Sequence, residues 1–184
     1  MATALQKIEA DPMQYPALPV GLSQAALAAV VTDQRLNSMW KRIESHVAHR
    51  WTARTVTWVV EGAGEWLPSL TPVVDISTVE QWQDSTWVPV TVSPTPMGGL
   101  YFPSDCHHRV VANVGAGPAP DDVTEAFRRL AEYLAGIRGN ASEVSFRRSV
   151  GDVTNTVRTE PDFMGMALQK SGAADLLRDY RSVV

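Results

Sequence analysis

A glycine-containing junction is the first stretch of the sequence that could perform chemistry. Residues 110–123 are VVANVGAGPAPDDV, in which a β-branched run leads into the GAG segment 115–117 and then into a helix start. A dinucleotide-binding turn needs three small residues, and its backbone N–H groups point at phosphate. Here Pro120 takes the third place, and Pro118 and Pro120 both lack the N–H donor. We therefore interpret the motif as a plain connection between a strand and a helix.

The histidines and the single cysteine are the other candidate reactive groups. His46 and His49 stand three residues apart on a predicted helix, but no cysteine or second pair completes a closed metal site. His107 and His108 are adjacent in a predicted strand, so their side chains point to opposite faces. Cys106 precedes them, yet a nucleophile needs a base within reach and a third group that orients the base. We predict no catalytic residue, no metal site, no cofactor and no enzymatic activity.

The tryptophans could instead form a stacking platform for single-stranded nucleic acid. Four of the six lie in the region of predicted strands: Trp58, Trp66, Trp82 and Trp87. Such a platform has basic residues between its aromatic rings. No Lys or Arg occurs between Thr55 and Tyr101, whereas acidic residues do. The tryptophans are therefore predicted to pack in a core or at an interface.

Length and composition set outer bounds on the kind of protein. A chain of 184 residues forms one domain with a possible tail, and buries about 70% of its unfolded surface. Its formal charge of −4 argues against a non-specific nucleic-acid coat. One cysteine excludes an internal disulfide, and no apolar run approaches the roughly 20 residues of a membrane span. We expect a soluble protein of a reducing compartment that does not bind membranes.

Hydrophobic periodicity places helices before and after a region of strands. Helical spacing predicts helices within residues 22–50, the first capped by Ser23, and a long helix at 121–138. Residues 52–114 alternate with a period of two, and 83–85 suit a hairpin turn. The predicted fold is α+β: helices packed with a small antiparallel β-meander or barrel, then a long helix after the last strand.

The two ends of the chain are predicted to lie outside this domain. Residues 1–20 carry three prolines and form an extended arm, while 21–140 form the domain. Residues 141–184 form a C-terminal tail whose stretch 141–163 has weak periodicity and whose end is a short amphipathic helix. Either that helix docks on a partner or it folds back on its own domain.

The order of these elements resembles a known family. The chain is similar to the head-tail connector, or adaptor, proteins of long-tailed phages and especially of alphaproteobacterial gene transfer agents. The likeness rests on PVGLSQAAL, LNSMWKRIESHVAHRW, LPSLTPVVDISTVEQW, VVANVGAGPAPDDVTEAFRRLAEYLAG and ADLLRDYR. The segment 141–163 departs from the family, because it is longer and richer in arginine than the usual link.

The resemblance implies a structural role in a virion. Members form rings, commonly of twelve copies, that are assembled in the bacterial cytoplasm. The ring sits beneath the portal protein at the head-tail junction, holds the next stopper or tail connector below, and extends the DNA channel. DNA would pass without specific binding, since each phosphate contact adds affinity that holds the duplex.

The terminal helix is the predicted portal-binding element. Apolar side chains would enter a groove on the portal, and two arginines would pair with portal carboxylates. The predicted contact residues are Ala173, Leu176, Leu177, Arg178, Tyr180 and Arg181. Two other classes remain open: a small-ligand-binding or enzymatic α+β domain with a pocket between strands and helices, and a DNA-binding regulator that uses the basic stretch from Arg35 to Arg54.

Overall fold

The computed structural model describes residues 1–141 and 166–181. Its contacts divide the chain into two compact units. Among the described residues, the strand unit comprises Met1–Pro16 and Ala48–Pro118, and the helical unit comprises Ala17–Val47, 119–141 and 166–181. Each unit draws on separate stretches of the chain, and the predicted arm of residues 1–20 contributes to both.

The strand unit contains two antiparallel sheets, as the period-two pattern predicted. The five-stranded sheet has the order β1-β2-β8-β4-β5, and the three-stranded sheet has the order β3-β7-β6. The strands are β1 Thr3–Glu9, β2 Arg54–Glu61, β3 Gly64–Trp66, β4 Val73–Gln83, β5 Thr86–Pro89, β6 Ser93–Pro94, β7 Leu100–Phe102 and β8 His107–Val114. The last strand lies between β2 and β4, so the large sheet is not a sequential meander.

The core of the strand unit lies between these sheets. Alternate residues of β2 and β8 are buried, among them Val56, Trp58 and Val110. They pack with Trp66 of β3 and Phe102 of β7, and the rings of Trp58 and Trp66 meet edge to face at 5.5 Å. The tryptophans of β2 and β3 are therefore core residues, as predicted.

The N-terminal arm is part of the large sheet. Strand β1 pairs antiparallel with β2 and forms one edge of that sheet, while β5 forms the other. Most side chains of β1 are exposed, so its sequence lacks the one-sided apolar pattern that predicts a strand. Residue 89 lies in the edge strand β5, which agrees with the preference of proline for sheet edges.

In residues 17–47, 119–141 and 166–181, the helical unit contains three longer helices and a C-terminal group of short ones. The helices are α1 Gln24–Val30, α2 Asp33–His46, α3 Asp121–Ala141, α4 Ala167–Lys170 and α5 Ala173–Leu176, followed by a 3₁₀ turn at Arg178–Tyr180. Ser23 caps α1 as predicted, since its side chain accepts a hydrogen bond from the amide of Ala26 at 3.2 Å. Trp40 of α2 packs on Phe127 of α3 with ring centroids 4.8 Å apart.

Helix boundaries differ from the prediction in two places. Helix α2 ends at His46 rather than near residue 50, because the backbone at Ala48 and Arg50 bonds to Thr71 instead of continuing the helix. Helix α3 continues past Gly139 to Ala141. The segment 142–165, which holds most of the predicted link, lies outside the described residues.

Candidate functional site

The predicted portal-binding residues lie in a compact C-terminal segment, residues 166–181. Helices α4 and α5 have four residues each, and Gly172 joins them with a φ of 72°. Helices this short do not persist alone in water, so their conformation depends on what they pack against. In this structure, both pack on α3 of the same chain.

Burial divides the six predicted residues into two groups. Ala173 and Leu177 have no exposed surface, whereas Leu176 and Tyr180 are half-buried and both arginines are exposed. Residues 173–180 form a four-residue helix followed by a 3₁₀ turn rather than one amphipathic helix. Of the expected apolar face, Ala173 and Leu177 are buried within the chain, which corresponds to the fold-back alternative stated above. Ala173 and Leu177 support the segment, and the side chains open to another protein are those of Leu176, Arg178, Tyr180 and Arg181.

A hydrogen bond joins the end of this segment to the first turn of α3. The hydroxyl of Tyr180 donates to the carboxylate of Asp122, whose two oxygens lie 3.1 and 3.0 Å away. Burial, this bond and the nearby negative charges of Asp122 and Asp179 raise the pKa of Tyr180 above its ordinary value. The sequence did not reveal this pair, because its members are 58 residues apart.

The positive charges of the segment are available at its surface. Arg178 pairs with Asp175 at 3.2 Å, but both side chains are more than three-quarters exposed, and such pairs contribute little. Burial and the charge of Arg181 lower the pKa of His46 and so favour the neutral imidazole. The end of the segment therefore presents arginines beside a half-buried leucine.

The N-terminal strand is held by an ion cluster that the sequence analysis missed. The carboxylate of Glu9 accepts hydrogen bonds from Arg50 at 2.5 and 3.0 Å and from Arg54 at 3.0 Å. Both arginine side chains are about 95% buried, and Arg54 also lies over the ring of Tyr15 at 5.5 Å. Burial raises the pKa of Glu9, but the bond and charge of Arg50, with the charges of Arg54 and Lys7, lower it overall.

The GAG segment is the strand-to-helix junction predicted from its prolines. The amide of Gly115 donates to the carbonyl of Pro72 at 2.9 Å, and that of Ala116 donates to the carbonyl of Arg50 at 3.3 Å. These amides bind the protein itself rather than pointing at a phosphate. Gly115 has a φ of 100°, and a Cβ there would lie 2.3 Å from the carbonyl oxygen of Thr52, so no other residue fits.

Three of the other candidate groups, Cys106, His107 and His108, belong to the strand unit. His107 is exposed and His108 is buried, as their adjacency predicted. Burial lowers the pKa of His108, and its ring stacks on Phe102 at 4.2 Å. The sulfur of Cys106 accepts a hydrogen bond from the amide of Gln81 at 2.8 Å. Within residues 1–141 and 166–181, no three His, Cys, Asp or Glu side chains lie together as metal ligands would.

The strand unit carries an open groove of about 740 Å³ beside the GAG segment. Met13, Trp51 and Val74 contribute its apolar surface, and Asn113 is one of its polar residues. No helix in the described part of the chain combines the length and hydrophobicity that a membrane crossing requires.

Comparison with known proteins gives a likeness of fold. No protein-family model and no curated protein matches the sequence. A solved chain from the virion of a native gene transfer agent (GTA) particle has a similar fold, with a TM-score of 0.50 and 16% sequence identity. The match covers 90% of this chain and 81% of that chain. It is in accord with the α+β fold predicted from the sequence pattern.

Proposed function

We propose that this chain is a structural component of a virion and forms the adaptor ring at the head-tail junction. The observation that carries the proposal is the fold likeness to a chain of a gene transfer agent virion, which extends over 90% of the residues. The sequence resemblance to adaptors points to the same role. The ring joins the portal to the next connector below, extends the DNA channel, and has no catalytic function.

The charge distribution suits a channel through which DNA passes. Residues 55–108, most of the strand unit, contain no Lys or Arg. A basic lumen would retain the duplex, because each neutralised phosphate adds affinity that depends on salt. An acidic or neutral lumen lets the duplex pass, and the strand unit can supply one.

The mass of the assembled protein tests this role. Native mass spectrometry of purified particles that contain the chain should give one cyclic assembly. Finding only monomers or twofold dimers in such particles would contradict the ring. Nanomolar binding of the free protein to duplex DNA at physiological salt would contradict the channel.

The exposed side of the C-terminal segment is the proposed portal contact. Ala173 and Leu177 are buried and hold the segment in the helical unit. The side chains that meet the portal are those of Leu176, Arg178, Tyr180 and Arg181. Arginines beside a half-buried leucine suit an acidic groove, in which charge sets orientation and apolar contact adds affinity.

A charge reversal separates portal docking from folding. The double variant Arg178→Glu with Arg181→Glu should keep its melting temperature, because both side chains are exposed, yet lose portal binding. Gln169→Glu adds negative charge to an exposed position of α4 and should bind normally. Equal binding by the double variant and the control would rule out this contact.

A small-ligand-binding domain is the second candidate, and the groove beside the GAG segment favours it. Its volume lies within the range of ligand pockets. A screen of metabolites by thermal shift tests this alternative, with Val74→Arg as the variant that should block the groove. A ligand whose effect Val74→Arg removes would favour the alternative over the connector.

A further inference from the structure

The helical unit carries a small pocket whose charged residues are both positive. Helices α1, α2 and α3 enclose about 330 Å³, and three buried apolar side chains contribute to the lining: Val30, Met39 and Leu134. Of the residues that line the pocket in the described part of the chain, Arg35 and Arg42 are the charged ones. This site, the arginine pocket, suits an apolar group that carries a negative charge beside it.

The strand unit presents such a group at the end of the β4–β5 hairpin. Asp84 and Ser85 form its turn, both with positive φ, and both are exposed. Trp82 precedes the turn and remains 43% exposed, which is unusual for so large an apolar side chain. The hairpin tip therefore carries an indole and a carboxylate two residues apart.

Contacts at the base of the hairpin hold Trp82 in this exposed position. Its ring meets that of Trp87 edge to face at 5.0 Å. Arg109 lies over Trp87 at 4.8 Å and pairs with Glu80 at 2.6 Å. A rigid, exposed aromatic side chain loses little conformational entropy on binding, so it is a suitable interface anchor.

We propose that the hairpin tip of one copy of this chain binds the arginine pocket of the next copy. The inference rests on the proposed ring, which needs a head-to-tail contact between two different patches of the same chain. Trp82 enters the apolar pocket, and Asp84 pairs with Arg35 and Arg42. The charges of the two patches are complementary, because the hairpin tip carries Asp84 and the pocket carries two arginines. Residues 55–108 contain no Lys or Arg that would repel these arginines.

The size of the pocket suits one large side chain. At about 330 Å³, the pocket lies at the small end of the range for ligand pockets. An aromatic side chain brings roughly 150–250 Å² of surface that such a pocket can bury. An arginine beside an indole also gains a cation–π attraction. A stable interface buries about 800 Å² on each partner, so Trp82 is the anchor of a wider contact between neighbouring copies.

Disulfide trapping between two different variants tests this contact directly. In a Cys106→Ser background, one variant carries Ser85→Cys at the hairpin turn and the other carries Ser38→Cys in the pocket. Mixing them under mild oxidation should give a covalent dimer. Ser45→Cys is the matched control, because Ser45 is also exposed on α2 but does not line the pocket. The mixture with Ser45→Cys should give little product.

Exchanging the charges tests the chemistry of the same contact. Arg42→Asp should weaken self-association about tenfold or more, as expected for the loss of a close interfacial charge pair. Asp84→Arg should weaken it similarly. Combining both changes should restore much of the affinity of self-association. Two substitutions at unrelated sites would not restore it.

The outcomes separate this inference from the proposed ring. Selective trapping with Ser38→Cys, together with rescue by the charge exchange, supports the contact. Rings in native mass spectra without selective trapping overturn the contact and leave the adaptor role intact. Selective trapping in assemblies that are only twofold dimers supports the contact and overturns the ring. If the protein neither assembles nor gives the trapped dimer at the highest soluble concentration, both the contact and the ring are overturned.

Discussion

The two ends of the described chain are held to the fold by different physical interactions. In the strand unit, β1 is anchored by its ladder with β2 and by the carboxylate of Glu9 between two buried arginines. In the helical unit, α4 and α5 pack on α3, and the buried apolar side chains of Ala173 and Leu177 anchor the C-terminal segment. An ionic anchor responds to pH and to the loss of one charge, whereas an apolar anchor responds to lost volume. The two ends can therefore be released independently.

Truncation of Leu177 should release the C-terminal end most strongly. Leu177→Ala removes a side chain without exposed surface, so the free energy that holds the segment to the helical unit should fall by about 2–5 kcal/mol. Hydrogen exchange of the amides in 167–180 measures this loss, and β1 should keep its protection. Arg178→Ala, at an exposed position, should change little. Unchanged exchange in Leu177→Ala would show that the segment leaves α3 in solution and is available to a partner.

Removal of the carboxylate charge should release the N-terminal end. Glu9→Gln leaves Arg50 and Arg54 buried with a neutral partner, and the free energy of unfolding should fall by roughly 1.5–3 kcal/mol, the range for hydrogen bonds to charged groups. Urea unfolding measures the change. The control is Glu61→Gln, which alters a half-exposed contact with His107 at 3.4 Å and should cost at most about 0.5 kcal/mol. Equal effects of the two substitutions would contradict the ionic anchor.

Acid should reproduce part of that effect in the wild-type protein. The pKa of Glu9 in the folded state lies below its ordinary value of 4.5, so the unfolded chain takes up this proton first as the pH falls. The contribution of Glu9 to stability is therefore complete above pH 4.5 and is lost as the pH falls through the folded pKa. Unfolding titrations of wild type and Glu9→Gln should converge in that window. Parallel pH profiles would show that another group is responsible.

Loss of the Tyr180 hydroxyl should give the smallest effect, on the C-terminal end alone. Tyr180→Phe removes the bond to Asp122 and should weaken docking by about 1 kcal/mol. Because the pKa of Tyr180 is raised in the folded state, its contribution is complete below pH 10.0 and is lost as the pH rises through the folded pKa. Amide exchange of 167–180 with and without the hydroxyl checks both statements. An effect on β1 would contradict independent anchoring of the ends.

The sequence predicted the parts of the fold that depend on local pattern. The apolar periodicity of α2 and α3, the alternation of β8 and the cap at Ser23 are each contained in a short window. Strand β1 escaped prediction because its side chains are mostly exposed and its partner β2 lies about fifty residues away. Periodicity defines which face of a segment is apolar, but not what covers it.

In the candidate site too, some features follow from local sequence pattern and others depend on contacts between distant residues. The apolar face with Ala173 and Leu177 followed from spacing, yet these two side chains are buried within the chain. The clustering of Glu9 with Arg50 and the bond from Tyr180 to Asp122 depend on tertiary placement. Arg35 and Arg42 share a face of α2 because they are about two helical turns apart, but the pocket beside them also depends on α1 and α3. Glu9 and Arg50 are 41 positions apart, and Tyr180 and Asp122 are 58 positions apart. A local sequence pattern cannot indicate contacts between residues so distant along the chain.

The position of β8 at the centre of the large sheet has a consequence during protein synthesis. Strands β2 and β4 both pair with β8, which is the last of the described strands to be made. A ribosome that adds roughly 5–20 residues per second needs about 3–10 s to pass from Glu61 to Val114. Through that interval, the valine-rich strand β2 lacks its central partner, and its unpaired edge is open to aggregation or chaperone binding.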